Sequence, residues 1–236
     1  MITFLTRIPV KYPYEYRDED FIKGITFMPL VGLLLGIILW GISFSSYYID
    51  RTVVSLLIWA VYIWVTGGLH FDGLADTVDG IFSNRDRGRM LEIMKDSRIG
   101  TFGVLSIFFV LSFNIVLTNH IEYKLLLLLP VVGRSCAVLA CSLSTYVRED
   151  GMGKGFIENS GLKEGIIAVV CLIVLGILIN YKLLFSITFI LAFTFYMARY
   201  FKRKLGGITG DSIGFFIEIT QTLFIFITYI MGGVLS

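Results

Sequence analysis

Seven long apolar runs divide this chain, and they limit its fold more than any other feature of the sequence. Each run has close to the ~20 residues that a helix needs to cross the hydrocarbon core of a bilayer. Only 16% of the residues are charged and 56% are hydrophobic, a balance well beyond that of soluble domains. The sequence therefore predicts an all-α integral membrane protein, a polytopic bundle of about seven transmembrane helices. The predicted spans are 24–43, 53–69, 102–118, 125–143, 166–181, 183–200 and 213–235.

The segments between the spans differ in positive charge. Sixteen Lys and Arg residues lie in the N-terminal segment and in alternate loops, three lie in the other loops, and one lies inside a span. Because cytoplasmic loops collect Lys and Arg, the N-terminus and the segments 67–103, 145–164 and 199–218 are predicted on the cytoplasmic side. We expect a single membrane-embedded domain over residues 1–236, with its active site built from these three segments.

Three aspartates follow the second run at helical spacing. Asp72, Asp76 and Asp79 stand at i, i+4 and i+7, so a helix would place them on one face. Grouped carboxylates repel one another unless a hard divalent cation neutralises them, and oxygen-only sites of this kind suit Mg²⁺. A solvated acidic face is the alternative, but no Lys or Arg between residues 67 and 83 offsets these charges. The spacing therefore favours a Mg²⁺ site at a membrane surface.

A short amphipathic helix is predicted after this acidic motif. Ser83 and Asp86 have the spacing of a capping box, and the following residues alternate apolar and charged faces as in a helix lying in the membrane interface. Its apolar face, which includes Met90 and Met94, would rest on lipid or on the bundle. Asp96 at its end is a candidate for a further metal ligand.

Three basic residues are candidates for phosphate contacts. Arg98 has the fork geometry for a bidentate contact, and Lys154 stands in a glycine-rich loop whose N–H groups suit a phosphate nest. An interfacial helix cap explains Arg98 equally well, and a flexible connector is the more common meaning of a glycine-rich string like the one around Lys154. Arg134 lies midway along the fourth span, where an arginine costs at least ~2.5 kcal/mol. It is expected to face the bundle interior and meet an anion, which is either a substrate phosphate or a buried acid.

The acidic motif has an echo near the end of the chain. Gly67-Gly68-x-x-x-Asp72 recurs as Gly206-Gly207-x-x-x-Asp211, and each aspartate is followed seven residues later by another acid, Asp79 or Glu218. A parallel repeat would bring Asp211 and Glu218 to the same cavity as the first cluster. Two unrelated helix caps would give the same letters.

Several kinds of chemistry are excluded because the sequence lacks the residues that they require. His70 and His120 are the only histidines and are predicted on opposite sides of the membrane, so a multi-histidine zinc site is excluded. The sequence has no Walker-type phosphate loop. Nucleic acid is not an expected partner, whereas the lipid bilayer is. Gly32 and Gly36 allow close helix packing either within the chain or in a homo-oligomer.

The motifs together resemble the cobalamin synthase family, also called adenosylcobinamide-GDP ribazoletransferase. The resemblance rests on residues 67–80 (GGLHFDGLADTVDG) and 89–103 (RMLEIMKDSRIGTFG), with support from 4–9, 32–36 and 207–211. It implies an enzyme of the prokaryotic inner membrane that joins adenosylcobinamide-GDP to α-ribazole, or to its 5′-phosphate, and releases GMP with a requirement for Mg²⁺.

Residue roles follow from this combination of motif and resemblance. Asp72, Asp76 and Asp79, with Asp96, are the expected metal ligands. One of the acids, Asp79 or Asp76, or else His70, is expected to act in catalysis and deprotonate the ribose hydroxyl. The expected substrate-binding and phosphate-binding residues are Arg98, Lys154, Arg134, Asp211 and Glu218.

Two rival functions compete with this interpretation. A CDP-alcohol phosphotransferase also has a carboxylate-rich site at the membrane surface, but its D-x-x-D-G-x-x-A-R signature is absent from this sequence. An ion-coupled transporter would place its acids near the middle of broken helices, whereas the acids here stand at the predicted cytoplasmic ends of spans.

Overall fold

The computed structural model describes residues 1–10, 24–151 and 153–232, and this part of the chain is almost entirely helical. One parallel β-bridge joins Tyr146 to Ile208. The α-helices, in chain order, are α1 (Ile2–Leu5), α2 (Met28–Ser43), α3 (Arg51–Thr66), α4 (Leu69–Phe82), α5 (Arg87–Ile93), α6 (Thr101–Thr118), α7 (Leu129–Ser142), α8 (Gly153–Glu158), α9 (Leu162–Ile179), α10 (Leu184–Leu205) and α11 (Gly210–Ile230). Short 3₁₀ turns lie at Phe44–Tyr47, Tyr123–Leu127 and Tyr181–Leu183.

The polytopic bundle predicted from the apolar runs is confirmed. In the described residues, six helical segments are long and apolar enough to cross a membrane, and they are Met28–Tyr47, Thr101–Thr118, Tyr123–Ser142, Leu162–Ile179, Tyr181–Leu205 and Gly210–Ile230. The remaining run, predicted as 53–69, corresponds to α3, which has 16 residues. α3 continues into α4 through a bend of 89°, so it is the seventh span only if this bent pair is counted as one.

Two consecutive glycines produce the bend between α3 and α4. Gly67 and Gly68 have φ values of +70° and +73°, in the left-handed region that glycine adopts without a steric penalty. The N–H of Gly68 donates to the carbonyl oxygen of Ile63 at 3.1 Å, which closes α3 as in a Schellman motif. The acidic motif therefore starts a new helix, nearly perpendicular to the span before it.

α4 lies against the first turns of α6 and α11, and glycines allow the close approach. A Cβ atom at Gly73 would lie 2.7 Å from the carbonyl oxygen of Asp211, and one at Gly214 would lie 2.6 Å from the carbonyl oxygen of His70. Because both neighbours are backbone atoms, neither can move aside without separating the helices. This crossing brings the acidic face of α4 to the start of α11.

The Gly32 and Gly36 pair packs inside the chain. A Cβ atom at Gly32 would lie 2.6 Å from the carbonyl oxygen of Pro130, and one at Gly36 would meet the carbonyl oxygen of Leu127. α2 therefore packs backbone to backbone against the start of α7. Of the two arrangements that the sequence allowed, these glycines serve the one within the chain.

The amphipathic helix after the acidic motif is α5, and its apolar face rests on the bundle. Met90 and Met94 form a buried cluster with Leu205 from the end of α10. The predicted capping box at Ser83 is wrong, because α5 begins at Arg87, three residues later than that pattern requires. Asp86 is the N-cap, and its carboxylate accepts a hydrogen bond from the N–H of Arg89 at 3.0 Å.

Candidate active site

A cavity of about 370 Å³ opens between α4 and α11. Its polar lining residues include Asp72 from α4, Asp211 from α11, Lys95 from the segment after α5, and Tyr146 and Arg148 from the segment after α7. Side chains from α1 and α2 close one side of it with apolar surface. Residues from all three predicted loop segments thus meet in one place.

The β-bridge brings the segment after α7 to this cavity. The N–H of Val147 donates to the carbonyl oxygen of Ile208 at 3.2 Å, and the N–H of Ile208 donates to the carbonyl oxygen of Thr145 at 3.0 Å. Tyr146 then enters the cavity lining, and partial burial raises the pKa of its phenol. Its hydroxyl donates to the carbonyl oxygen of Asp150 at 2.9 Å, which holds the turn before the glycine-rich loop.

Arg148 and Asp211 form an ion pair at the wall of the cavity. An Nη2–Oδ2 distance of 2.7 Å joins them, and their side chains are 19% and 23% exposed. The pair is close but poorly aligned, since Nε and Nη2 of Arg148 make no hydrogen bond with the described residues. The sequence analysis missed Arg148, although it singled out both the glycine-rich loop that begins at this residue and the aspartate that pairs with it.

Asp72 lines the cavity opposite Asp211 and Arg148, and Asp76 lies one turn further along α4. Asp76 is half-buried, and the charges of Asp72, Asp211 and Arg148 all act on it. Neither Asp72 nor Asp76 accepts a hydrogen bond from any residue that the structure describes. Carboxylates left without donors in this way suit a hard divalent cation. Together with Asp211, whose Oδ2 also accepts from the Thr209 hydroxyl at 3.4 Å, these acids make a chemically appropriate donor set for Mg²⁺.

A closed metal site is not formed by these side chains as they stand. Across residues 1–10, 24–151 and 153–232, no group of three or more His, Cys, Asp and Glu side chains is arranged to hold a metal ion. The carboxylates would have to turn toward one another around the ion. The Mg²⁺ ligands therefore stay a prediction.

Asp79 has a different environment from the other two aspartates of the motif. Its Oδ2 accepts a hydrogen bond from the N–H of Gly100 at 2.7 Å, and its Oδ1 accepts one from the N–H of Gly103 at 2.9 Å. Gly100 is the N-cap of α6, so the buried carboxylate caps a neighbouring helix and meets the positive end of its dipole. If Asp79 also binds metal or acts in catalysis, as predicted, its carboxylate must do so while it accepts these two backbone hydrogen bonds.

Asp96 and Arg98 lie in a second, more open cleft. This cleft of about 770 Å³ is bordered by α5, the segment after it and Asp79, and does not include Asp72 or Asp211. Arg98 donates from Nε to Oδ1 of Asp96 at 3.0 Å and from Nη2 to Oδ2 at 2.6 Å. These contacts lower the pKa of Asp96 to about 2. The two residues predicted to bind metal and phosphate thus bind each other.

Lys154 does not line the cavity, although its neighbours Gly151 and Gly153 do. Its Nζ donates to the carbonyl oxygen of Glu149 at 2.7 Å. The lysine in the cavity lining is Lys95, which the sequence analysis did not select. Lys95 lies four residues after Leu91, within the motif 89–103. Its place in that motif was the signal that could have identified it.

Arg134 and Glu218 lie in a buried polar cluster instead of the cavity. The hydroxyl of Tyr62 donates to Oε1 of Glu218 at 2.8 Å and accepts from Nη1 of Arg134 at 3.1 Å and from Nε2 of Gln221 at 2.8 Å. Arg134, Glu218 and Gln221 are fully buried. The cluster ties α3, α7 and α11 together, and Tyr62 links Arg134 to the buried acid Glu218 without a direct ion pair between them. Neither residue contacts the space where a substrate phosphate would lie.

His70 lies between the cluster and the cavity. It lines the cavity, is 3% exposed, and its Nε2 has no hydrogen-bond partner among the described residues. A buried imidazole nitrogen without a partner is unusual. Of the residues proposed as a base, His70 is therefore the one with a free ring nitrogen at the cavity wall.

Comparison with known proteins gives one consistent family. The family described as Cobalamin-5-phosphate synthase matches residues 1–229. A relative from Alkaliphilus oremlandii, named adenosylcobinamide-GDP ribazoletransferase, is 48% identical, with 100% of this chain and 97% of the relative aligned. Relatives with the same name from Acetivibrio thermocellus and Clostridium acetobutylicum are 44% and 40% identical, with 98% and 97% of this chain and 96% and 94% of the relatives aligned. No solved structure matches the chain.

Proposed function

Because this chain belongs to the Cobalamin-5-phosphate synthase family, we propose that it joins adenosylcobinamide-GDP to α-ribazole, or to α-ribazole 5′-phosphate, and releases GMP. The protein is a membrane-embedded transferase. The family match over residues 1–229 favours this reaction over the CDP-alcohol phosphotransferase and transporter alternatives. The observation that carries the proposal is the cavity lined by Asp72, Asp211 and Arg148, whose charges all act on the neighbouring Asp76.

The reaction is a substitution at phosphorus. A ribose hydroxyl oxygen of the acceptor attacks the phosphorus of the diphosphate that carries the cobinamide. A new O–P bond forms, the bridging P–O bond breaks, and GMP leaves with the bridging oxygen. The proton of the hydroxyl passes to a base in the site or to solvent. The diphosphate that is attacked and the GMP that leaves are both negatively charged, so the site has to neutralise charge at the phosphates.

The carboxylates supply one part of that site. Asp72, Asp76 and Asp211 would hold Mg²⁺, which when bound neutralises the diphosphate and the departing GMP. His70 is the candidate for taking the hydroxyl proton, because its free ring nitrogen is at the cavity wall. Asp79 keeps α6 attached to α4 through its two backbone hydrogen bonds. This contact holds the acidic face of α4 in register with α11.

The cavity end of the bundle is proposed to face the cytoplasm of a prokaryotic inner membrane. The unequal distribution of Lys and Arg supports this orientation, and nucleotide substrates are made in the cytoplasm.

Purified protein in detergent should be incubated with adenosylcobinamide-GDP, α-ribazole and Mg²⁺, and GMP and the corrinoid product should be separated by chromatography. We expect GMP and coupled corrinoid in equal amounts, and no product when either substrate is left out. GMP without coupled corrinoid would indicate hydrolysis and would reject the proposed transfer. A folded protein that forms neither product would reject it as well.

A further inference from the structure

The wall of the cavity nearest the carboxylates carries basic side chains. Nε of Arg148 has no hydrogen-bond partner among the described residues, its Nη2 has only the poorly aligned contact with Asp211 at 2.7 Å, and Lys95 lines the same cavity. Buried polar groups are normally satisfied, so this set of nitrogens points to a ligand that accepts several hydrogen bonds.

The cavity beside Arg148 is lined by backbone. Gly151, Gly153 and Gly210 are among its lining residues, and Gly153 and Gly210 pack closely enough that a Cβ atom at Gly153 would lie 2.5 Å from Cα of Gly210. The first turn of α11 also begins here, and its N-terminal end favours a negative charge. A phosphate group combines the negative charge with the several acceptor oxygens that these donors require.

The ion pair between Arg148 and Asp211 has a second consequence. Asp211 is one of the three acids suited to a cation, yet its Oδ2 lies 2.7 Å from the positively charged Nη2 of Arg148. Arg148 therefore competes with a cation for this carboxylate. A phosphate that drew the guanidinium away would leave Asp211 available.

We propose that Arg148 is the phosphate-binding residue of the cavity and that it exchanges Asp211 for a substrate phosphate when the substrate binds. This inference rests on the proposed function, because it deepens the assignment of the same cavity. In this proposal Arg148 binds a phosphate group, and Lys95 lies in the same cavity lining. Asp211 is a cation ligand that stays paired with Arg148 until the phosphate binds.

The exchange predicts opposite effects of one substitution on two ligands. In Arg148→Gln, adenosylcobinamide-GDP should bind at least about tenfold more weakly, since hydrogen bonds from a charged donor are lost. Mn²⁺ alone, followed by electron paramagnetic resonance as a stand-in for Mg²⁺, should bind up to about fivefold more tightly, since Asp211 is no longer paired. Both measurements are made on the full chain in detergent without the acceptor.

Arg203→Gln is the matched control. Arg203 is exposed in the last turn of α10, so its replacement removes the same charge at a distance from the cavity lining. Neither affinity should change in this variant. If Arg148 only fastened its loop to α11, its loss would loosen the acids as well, and both ligands would bind more weakly. Weaker Mn²⁺ binding, or unchanged substrate binding, would overturn the exchange.

Two phosphate groups could occupy this site, and the acceptor distinguishes them. If Arg148 holds the diphosphate of the donor, Arg148→Gln should raise KM for adenosylcobinamide-GDP equally with either acceptor. If it holds the 5′-phosphate of the acceptor, the variant should lose the difference in KM between α-ribazole 5′-phosphate and α-ribazole, while donor binding stays normal. The second result would overturn the assignment to the diphosphate and keep the phosphate site.

Failure of the inference is distinguishable from failure of the proposed function. An inactive wild-type protein contradicts the function, whereas an active wild-type protein with an unaffected Arg148→Gln contradicts only the inference. Should Arg148→Gln fail to fold, Arg148→Lys keeps the charge but loses the fork. It should retain the resting Mn²⁺ affinity and still weaken substrate binding, and unchanged substrate binding in this variant would refute the phosphate contact.

Discussion

The crossing of α4 over α11 gives a sharp prediction for Gly73→Ala. The added methyl group would lie 2.7 Å from the carbonyl oxygen of Asp211 and 3.0 Å from its Cα. Because comfortable contacts begin near ~3.5 Å, the two helices must separate by about 0.5–1 Å. Overpacking of this kind costs about 1–3 kcal/mol, and the better helix propensity of alanine returns about 1 kcal/mol. The expected loss of stability is therefore small, about 0–2 kcal/mol.

The effect on the reaction should be larger than the effect on stability. Asp72 and Asp211 stand on the two helices that the methyl group separates, and a misplacement near ~1 Å costs on the order of 10²-fold in rate. The assay is the initial rate of product formation at saturating substrates, with the unfolding midpoint measured in the same detergent. Gly41→Ala is the control, since a Cβ atom there meets nothing within 4 Å. A full rate for Gly73→Ala would refute the idea that this crossing sets the site.

Three further outcomes are expected from the site and the topology. Asp76→Asn keeps the shape of the side chain but removes a charge from the proposed cation site, so Mg²⁺-dependent turnover should be lost with an unchanged unfolding midpoint; near-normal rates at saturating Mg²⁺ would remove it from the metal site. Asp79→Asn should lower the free energy of unfolding by about 1–3 kcal/mol, because one backbone N–H at the start of α6 loses its acceptor; a raised Mg²⁺ requirement at normal stability would instead favour a metal ligand. Cysteines at Asn84 and Asn159 should react with membrane-impermeant reagents only from the cytoplasmic side and one at Asn119 only from outside, and external labelling at position 84 would reverse the orientation.

The helices were predictable from the sequence because apolar runs near the length of a bilayer leave the backbone no alternative to helix. The helical spacing of the acidic motif was also visible, and α4 carries it as expected. The 89° bend was not predicted. Gly67 and Gly68 are compatible with a straight passage as well as a turn, and what fixes the turn is packing of α4 against helices that come later in the chain.

The site was predictable where residues are close in the sequence and less so where they are distant. Asp211 was selected through the echo of Asp72, and both line the same cavity. Glu218 was expected there too, but seven residues along a helix amount to about 10 Å, which carries it into the bundle. The capping contact of Asp79 joins it to the start of the next long helix, and no local pattern encodes such a partner.

The buried cluster around Tyr62 bears on how the protein is made. α7 carries Arg134 into the membrane, but Gln221, one of the groups that surround it, follows 87 residues later in the chain. During synthesis the arginine must therefore enter the bilayer ahead of α11, at a stage when Tyr62 is already present but Glu218 and Gln221 cannot yet offset an insertion cost of at least ~2.5 kcal/mol. Chains that stop before α11 would keep an unneutralised charge in an incomplete bundle. Insertion of α11 thus completes the set of partners around the arginine, and until that step the chain stays open to removal by membrane quality-control proteases.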